Sequence, residues 1–147
     1  MDNIFYEGEV IWAMTDANGH LRHSAYADFA AQSRWTALKK TGFVNKTMEY
    51  KIAPILFREE SVFLKELRLG ESVRVSVEVT KMRSDYSRFT MKSVVYRASD
   101  NTKSAEVIVD GAWINLETRK LAVLPDELRA MLDHVPRSPD IIIEQSK

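Results

Sequence analysis

From Glu59 onward, apolar and β-branched residues recur at every second position in run after run, with short polar breaks between the runs. Val62 and Leu64 open the series. Val73, Val75, Val77 and Val79 continue it, followed by Phe89 and Met91 with Val94 and Tyr96, and then by Val107, Val109 and Trp113. A half-buried strand requires this alternation, because successive side chains point to opposite faces of a sheet. The breaks carry turn chemistry: Leu69, Gly70 and Glu71; Ser84, Asp85 and Tyr86; residues 98–101; and Glu117, Thr118 and Arg119. Consecutive strands joined so briefly are expected to pair antiparallel, since a parallel crossover takes about a dozen residues or more. The pattern predicts a meandering sheet of about five or six strands.

Ahead of the meander, residues 5–13 read as a first strand with Tyr6, Val10 and Trp12 among its bulky positions. Residues 24–41 read as one long helix. There Tyr26, Phe29, Ala30, Ser33 and Ala37 fall at helical spacing and make one face of small and aromatic side chains. Ser24 is a candidate cap and Asp28 is placed in the first turn, while Lys39, Lys40 and Gly42 supply the cations and glycine of a helix end. Residues 43–57 mix polar residues with a short apolar piece around Ile52, Pro54, Ile55 and Leu56, and read mostly as loop. Pro125 precedes a short helix over 126–132 with an acidic first turn. The tail, 133–147, reads as either a last strand or a flexible extension. A single helix cannot cover both faces of so wide a sheet. The sheet is therefore expected to wrap around it and to leave a face or edge for a second copy of the chain. The fold class is α+β, in a single domain over residues 1–147.

Composition removes several function classes. Lysine plus arginine and aspartate plus glutamate stand at 21 each, for a formal net charge of zero, so nucleic acid is not an expected partner. Without cysteine there is no disulfide, thiolate metal site or cysteine nucleophile, and the chain suits a reducing compartment. The opening MDNIFYEGEV carries acids and lacks a basic-then-apolar run, and no apolar stretch approaches the roughly 20 residues of a membrane span. A cytoplasmic location is expected. No Gly-x-Ser-x-Gly elbow, Walker loop or Gly-x-Gly-x-x-Gly fingerprint is present.

Chemistry is concentrated in MTDANGHLRHSAYADF, residues 14–29. Asp16 sits three positions before Gly19, where the alternating pattern changes to a helical one, so a carboxylate is held at a strand-to-helix junction. Unpaired backbone N–H groups at such a junction can stabilise negative charge developing on a substrate oxygen. Asp16 could equally close an Asx turn or cap the helix. With His20 and His23 it also offers a carboxylate and two imidazoles, but no fourth ligand is apparent and no metal is expected.

The segment resembles the hot-dog fold acyl-CoA thioesterases of the 4-hydroxybenzoyl-CoA thioesterase type. Their pattern of an Asp, two variable residues, a Gly, a His or Val, and then an Asn or His leading into a helix with Tyr is filled by Asp16, Gly19, His20, His23 and Tyr26. The likeness continues through Leu67, Arg68, Leu69, Gly70 and Glu71, the hairpin of residues 115–120, and Leu124, Pro125, Asp126, Glu127 and Leu128. One departure is Met14, where many members carry an earlier Asp.

The resemblance implies hydrolysis of an acyl-CoA thioester to a free acid and coenzyme A, which enters as part of the substrate with no further cofactor. Asp16 would act as nucleophile or general base, and the backbone N–H of His23 or Ser24 would polarise the thioester carbonyl. Gly19, His20, Ser24 and Tyr26 would shape the site. Lys81, Arg83, Ser87 and Arg88, clustered at a turn where the family often handles the nucleotide, would meet the phosphates. Glu59 and Glu60 read as strand-end charges, in a region that approaches the partner's site in a hot-dog dimer. A homodimer or homotetramer is implied, and acyl carrier protein is a possible carrier in place of coenzyme A. Trp12, Tyr26, Phe29 and Trp35 hint at aromatic or medium-length acyl groups. The contrasting reading is a hot-dog module that binds an acyl thioester or a partner without turning it over.

Overall fold

The computed structural model describes residues 3–146. Strand β1 (Ile4–Glu9) is followed by a single 3-10 turn at Trp12–Met14 and then by α1 (His23–Lys40) and α2 (Phe43–Glu49). Next come β2 (Ile52–Phe63), β3 (Ser72–Ser76), β4 (Glu78–Arg83), β5 (Arg88–Arg97) and β6 (Thr102–Asn115), with α3 (Asp126–Leu132) and β7 (Arg137–Glu144) at the end. Seven strands form one sheet. β2 pairs with β6, β6 with β5, and β5 with both β3 and β4, which lie end to end along it. β1 closes the edge beside β3, and β7 closes it beside β4. Every pairing is antiparallel except β4 with β7.

Several expectations are corrected here. Residues 43–57 are not mostly loop, since they supply α2 and half of β2. Gly42, at φ 83°, ends α1 in the left-handed conformation and lets Phe43 begin a new helix that buries Phe43 and Thr47. β2 hides from a periodicity argument because Pro54 through Glu60 are exposed on both faces of the strand. The run from Val73 to Val79 is two strands, broken at Val77, whose N–H donates to the Asn3 carbonyl at 2.9 Å. The first strand stops at Glu9, short of Ala13.

Nor does the strand carrying Val62 pair with its successor. β2 lies at the far end of the sheet, and residues 64–71 cross back past the start of α1, where the Leu67 carbonyl accepts the Leu21 N–H at 2.7 Å. Glu59 and Glu60 accordingly sit within β2, not ahead of it, with Glu60 paired to Arg58 at 2.6 Å.

The predicted face of α1 is the buried one: Ala25, Tyr26, Phe29, Ala30, Ser33 and Ala37. Small side chains let the helix axis come close to the valines of β3, β5 and β6, including Val75, Val95, Val107 and Val109, all fully buried. Ser33 is the polar member of this face, and its Oγ donates to the Val75 carbonyl at 3.0 Å. Helix ends differ from expectation. Arg22 occupies the N-cap position without a side-chain cap, Ser24 accepts a hydrogen bond from Arg22 Nε at 3.1 Å, and Asp28 lies beyond the first turn.

At the other end of α1, Trp113 packs between Phe43 and Phe89, with ring centroids 4.8 and 5.1 Å away. Gly111 makes this possible. A Cβ there would stand 2.5 Å from the Phe89 ring and 2.7 Å from the Ile55 carbonyl on the paired strand. Gly111→Ala should therefore remain folded but lose about 1–3 kcal/mol, read as a lower urea midpoint at unchanged slope. An unchanged midpoint would show that β2 yields without cost.

Candidate functional site

Asp16 is fixed by its own backbone surroundings. Its Oδ1 accepts the N–H of Asn18 at 2.9 Å and of His20 at 3.1 Å, its N–H donates to the His20 carbonyl at 2.8 Å, and its carbonyl accepts the Gly19 N–H at 3.1 Å. Gly19 supplies the turn with φ 75°, a conformation that costs other L-residues energy. Bridges from Thr15 to Leu21 and from His20 to Arg68 clamp the turn between the strand before it and the connection after β2. Amide donation from His20, and then from Asn18, holds the Asp16 carboxyl below the usual aspartate range. The carboxylate is thus ionised at neutral pH, with Oδ2 unengaged among the described residues.

Asp16, His20, His23 and Tyr26 line one cleft of about 340 Å³ together with Leu21. Its opposite wall is Phe63, Leu64, Lys65 and Glu66, where β2 runs out into the crossing connection. Sequence reading missed that wall entirely, because nothing in its local pattern distinguishes it from a strand end. Phe63 meets Tyr26 edge to face at 5.3 Å, and Glu66 takes His20 Nε2 at 2.8 Å. Tyr26 is at once core and wall, and burial pushes its hydroxyl pKa up.

Gly19 and Ser24 do not line the cleft. The N–H of Ala25 is taken by the Arg22 carbonyl at 3.0 Å, whereas His23 and Ser24 have first-turn N–H groups for which a helix offers no internal acceptor. Of the aromatic residues noted for the acyl group, Phe29 is buried in the core, Trp12 is 83 % exposed, and Trp35 borders a different cavity.

Lys81, Arg83 and Arg88 come together in a second, smaller cleft of about 160 Å³ that shares no residue with the first. Its charge is partly cancelled, since Glu144 pairs with Lys81 at 2.6 Å and Asp110 lies in the same wall. Arg88 sits over the Phe57 ring at 5.5 Å. Ser87 is fully buried, with its hydroxyl donating to Asp85 at 2.5 Å, and acts in the turn rather than on the cleft surface. Among the described residues no group of three His, Asp or Glu side chains is placed to hold a metal ion. None of the helices among them is long and apolar enough to cross a membrane.

The model of the thioesterase-like superfamily matches residues 10–132, which takes in the Asp16 turn, α1, the crossing connection and the sheet through α3. The chain belongs to that superfamily. Membership assigns it to the thioester hydrolases. No curated protein matches the chain. Among solved structures, the hypothetical protein SAV2348 of Staphylococcus aureus, determined in complex with CoA, is 19% identical with a TM-score of 0.81, over 90% of this chain and 83% of that one. Slr0204 of Synechocystis, a 1,4-dihydroxy-2-naphthoyl-CoA thioesterase, is 20% identical with a TM-score of 0.75, over 87% and 93%. YbaW of Escherichia coli, a probable thioesterase, is 17% identical with a TM-score of 0.79, over 88% and 96%. At these identities the likeness shows the fold, which is the hot-dog fold.

The geometry of the turn makes a direct prediction. A carboxyl-carbon NMR titration should give Asp16 a midpoint below that of an unstructured aspartate, and a midpoint above it would mean that the two amide bonds do not hold in solution.

Proposed function

We propose that this superfamily member is an acyl-CoA thioesterase in which Asp16 is the catalytic carboxylate. One observation carries the reading: a charged, backbone-held carboxylate shares a cleft with the first turn of α1 and with an aromatic wall. Thioester hydrolysis needs an attacking oxygen or an activated water, a donor for the oxyanion, and shelter from bulk solvent. Asp16 Oδ2 meets the first need. It either attacks the carbonyl carbon, expelling the coenzyme A thiolate to leave a mixed anhydride, or takes a proton from the water that attacks. The N–H of His23 or Ser24, aided by the dipole of α1, meets the second. Tyr26 and Phe63 contribute apolar wall toward the third.

Coenzyme A as the carrier is supported by the CoA-bound relative and by the naphthoyl-CoA thioesterase of the same fold. Lys81, Arg83 and Arg88 suit its phosphates, and His20 and Tyr26 suit the acyl side. Residues 1–147 would act as one domain, in a cytoplasmic setting that a cysteine-free chain suits. A homodimer or homotetramer is part of the proposal. Among the described residues β2 pairs only on its β6 side, and Ile55, Leu56, Phe57, Val62 and Phe63 are exposed along it. Because Phe63 belongs to the Asp16 cleft and Phe57 to the Lys81 cleft, a second copy laid along β2 would border both.

Asp16→Asn keeps an oxygen for the Asn18 and His20 amides while removing the charge. Thiol release from a panel of aryl, short and long acyl-CoAs should fall by about 10²–10⁴, with acyl-CoA affinity within a few-fold of the parent. Undiminished hydrolysis would remove Asp16 from the mechanism, and a parent protein that binds but never releases thiol would favour the binding module. Single turnover in heavy-oxygen water tests the nucleophilic role, since label in the Asp16 carboxylate requires a mixed anhydride that water opens at the Asp16 carbon. Trapping the acyl-enzyme with hydroxylamine tests the anhydride when water opens it at the acyl carbon.

The pH dependence has a definite sign. Amide bonds that lower the Asp16 pKa keep the active carboxylate populated as pH falls, so the acid limb of kcat/KM should lie below the ordinary aspartate range. An acid limb near neutrality would assign the rate-controlling titration to another group.

A further inference from the structure

Away from the Asp16 cleft, a cavity of about 230 Å³ opens between α1, β2, β5 and β6. Leu38, Leu56, Phe89 and Met91 make it apolar, and Trp35 and Trp113 stand in its wall. Arg34 lines it as well. Two polar atoms of these residues are buried without a partner among the described residues: Nη1 of Arg34 and Nε1 of Trp113. Both are donors. An unmade hydrogen bond at a buried neutral donor costs about 1–3 kcal/mol, and a charged one costs more. Arg34 feels burial more strongly than it feels Glu59, the acidic group whose field reaches it, and its guanidinium pKa is pushed down accordingly.

What would complete the cavity follows from these features. An apolar engineered cavity of about 150 Å³ holds a benzene molecule, so this space admits one ring and a few further atoms. A trapped water could accept from a donor but would add nothing to the partial compensation that Glu59 gives the guanidinium charge. A phosphate would bring a second negative charge against a single cation and would wet an apolar wall. An apolar body ending in a carboxylate offers acceptor oxygens to such donors and brings a countercharge to Arg34 beyond the weaker field of Glu59.

We propose that the Arg34 cavity is a binding site for a small monocarboxylate with an aromatic or short aliphatic body, held by Arg34 and the Trp113 indole N–H. This assignment is independent of the role given to Asp16, which does not line the cavity. The obvious competitor is a second copy of the chain. Leu56 lies on β2, so a neighbouring copy could close the cavity and offer a carboxylate such as Glu59.

Phenylacetate and its neutral isostere phenylacetamide are the probes, with the Trp113 indole N–H resonance and tryptophan fluorescence as readouts. Phenylacetate should shift the indole resonance saturably, and phenylacetamide should bind at least tenfold more weakly. Arg34→Met fills similar volume without the charge and should lose phenylacetate binding at least tenfold. Its thermal midpoint should be unchanged or higher, because a partly buried cation whose desolvation outweighs its pairing is gone. Arg34→Lys should recover part of the affinity, and Asp16→Asn should bind phenylacetate as the parent does, even if it proves to hydrolyse thioesters normally. Equal binding of the two probes, or parental affinity in Arg34→Met, would overturn the proposal. It would also fall if phenylacetate failed to bind; weakened self-association of Arg34→Met and Glu59→Gln in sedimentation would then give the countercharge to the second copy.

Discussion

The close approach of α1 to the sheet is the constraint on which the remaining geometry rests. Ala25, Ala30, Ser33 and Ala37 leave little between the helix backbone and the valine surface of β3, β5 and β6, and the Ser33 bond to the Val75 carbonyl fixes the helix along its axis. Larger residues on that face would lift the helix, and with it both of its ends. The N-terminal end carries His23 and abuts the Asp16 turn. The C-terminal half carries Arg34, Trp35 and Leu38 over the second apolar cavity. One packing surface therefore positions two chemically different sites on the same element.

At the N-terminal end, the crossing connection does as much as the helix. Residues 64–71 could have made a tight turn from β2 into a neighbouring strand. Instead they pass the start of α1 with Leu67 fully buried, its carbonyl bonded to Leu21 N–H and the Leu69 N–H bonded to the Gly19 carbonyl at 3.1 Å. These contacts hold the Asp16 turn from outside. They also bring Glu66 within 2.8 Å of His20 Nε2, so that the imidazole is tied to the connection while its backbone N–H donates to Asp16.

How far the sequence could be read depends on which residues face the core. α1 and the strand character of β3 to β6 were legible because burial on one face imposes a period, visible in Tyr26, Phe29, Ala30, Ser33 and Ala37 and in the alternating valines, but that period runs through Val77 and hides the break between β3 and β4. β2 was not, since an edge strand exposed on both faces in the single chain has no period to show. Its Ile55, Leu56 and Phe57 make a short apolar run that fits loop, helix or strand. The Asp16 turn was legible from Gly19 and from the change of pattern around it. Its facing wall was not, because Phe63 through Glu66 reach it only through a sheet order in which β2 pairs with β6, a long-range choice that local residues do not encode. The gathering of Lys81, Arg83 and Arg88 was anticipated, whereas their separation from the Asp16 cleft within one chain was not.

A comparison with another turn carboxylate of the molecule supports the role proposed for Asp16. Asp100 also closes a turn by accepting a backbone amide, from Thr102 at 3.1 Å. Yet Arg97 grips Asp100 through two bonds, at 3.0 and 2.7 Å, and drives its pKa far below the carboxylate range. A carboxylate so paired is poorly basic and sterically spoken for. Asp16 is lowered chiefly by backbone amide donors instead, both on Oδ1, with a smaller contribution from the nearby His20, so it keeps its charge while no arginine or lysine grips it among the described residues. The same turn geometry yields a structural clasp when an arginine completes it and, beside a cleft, leaves an oxygen free for the proposed chemistry. The difference lies in what the fold brings opposite the second oxygen.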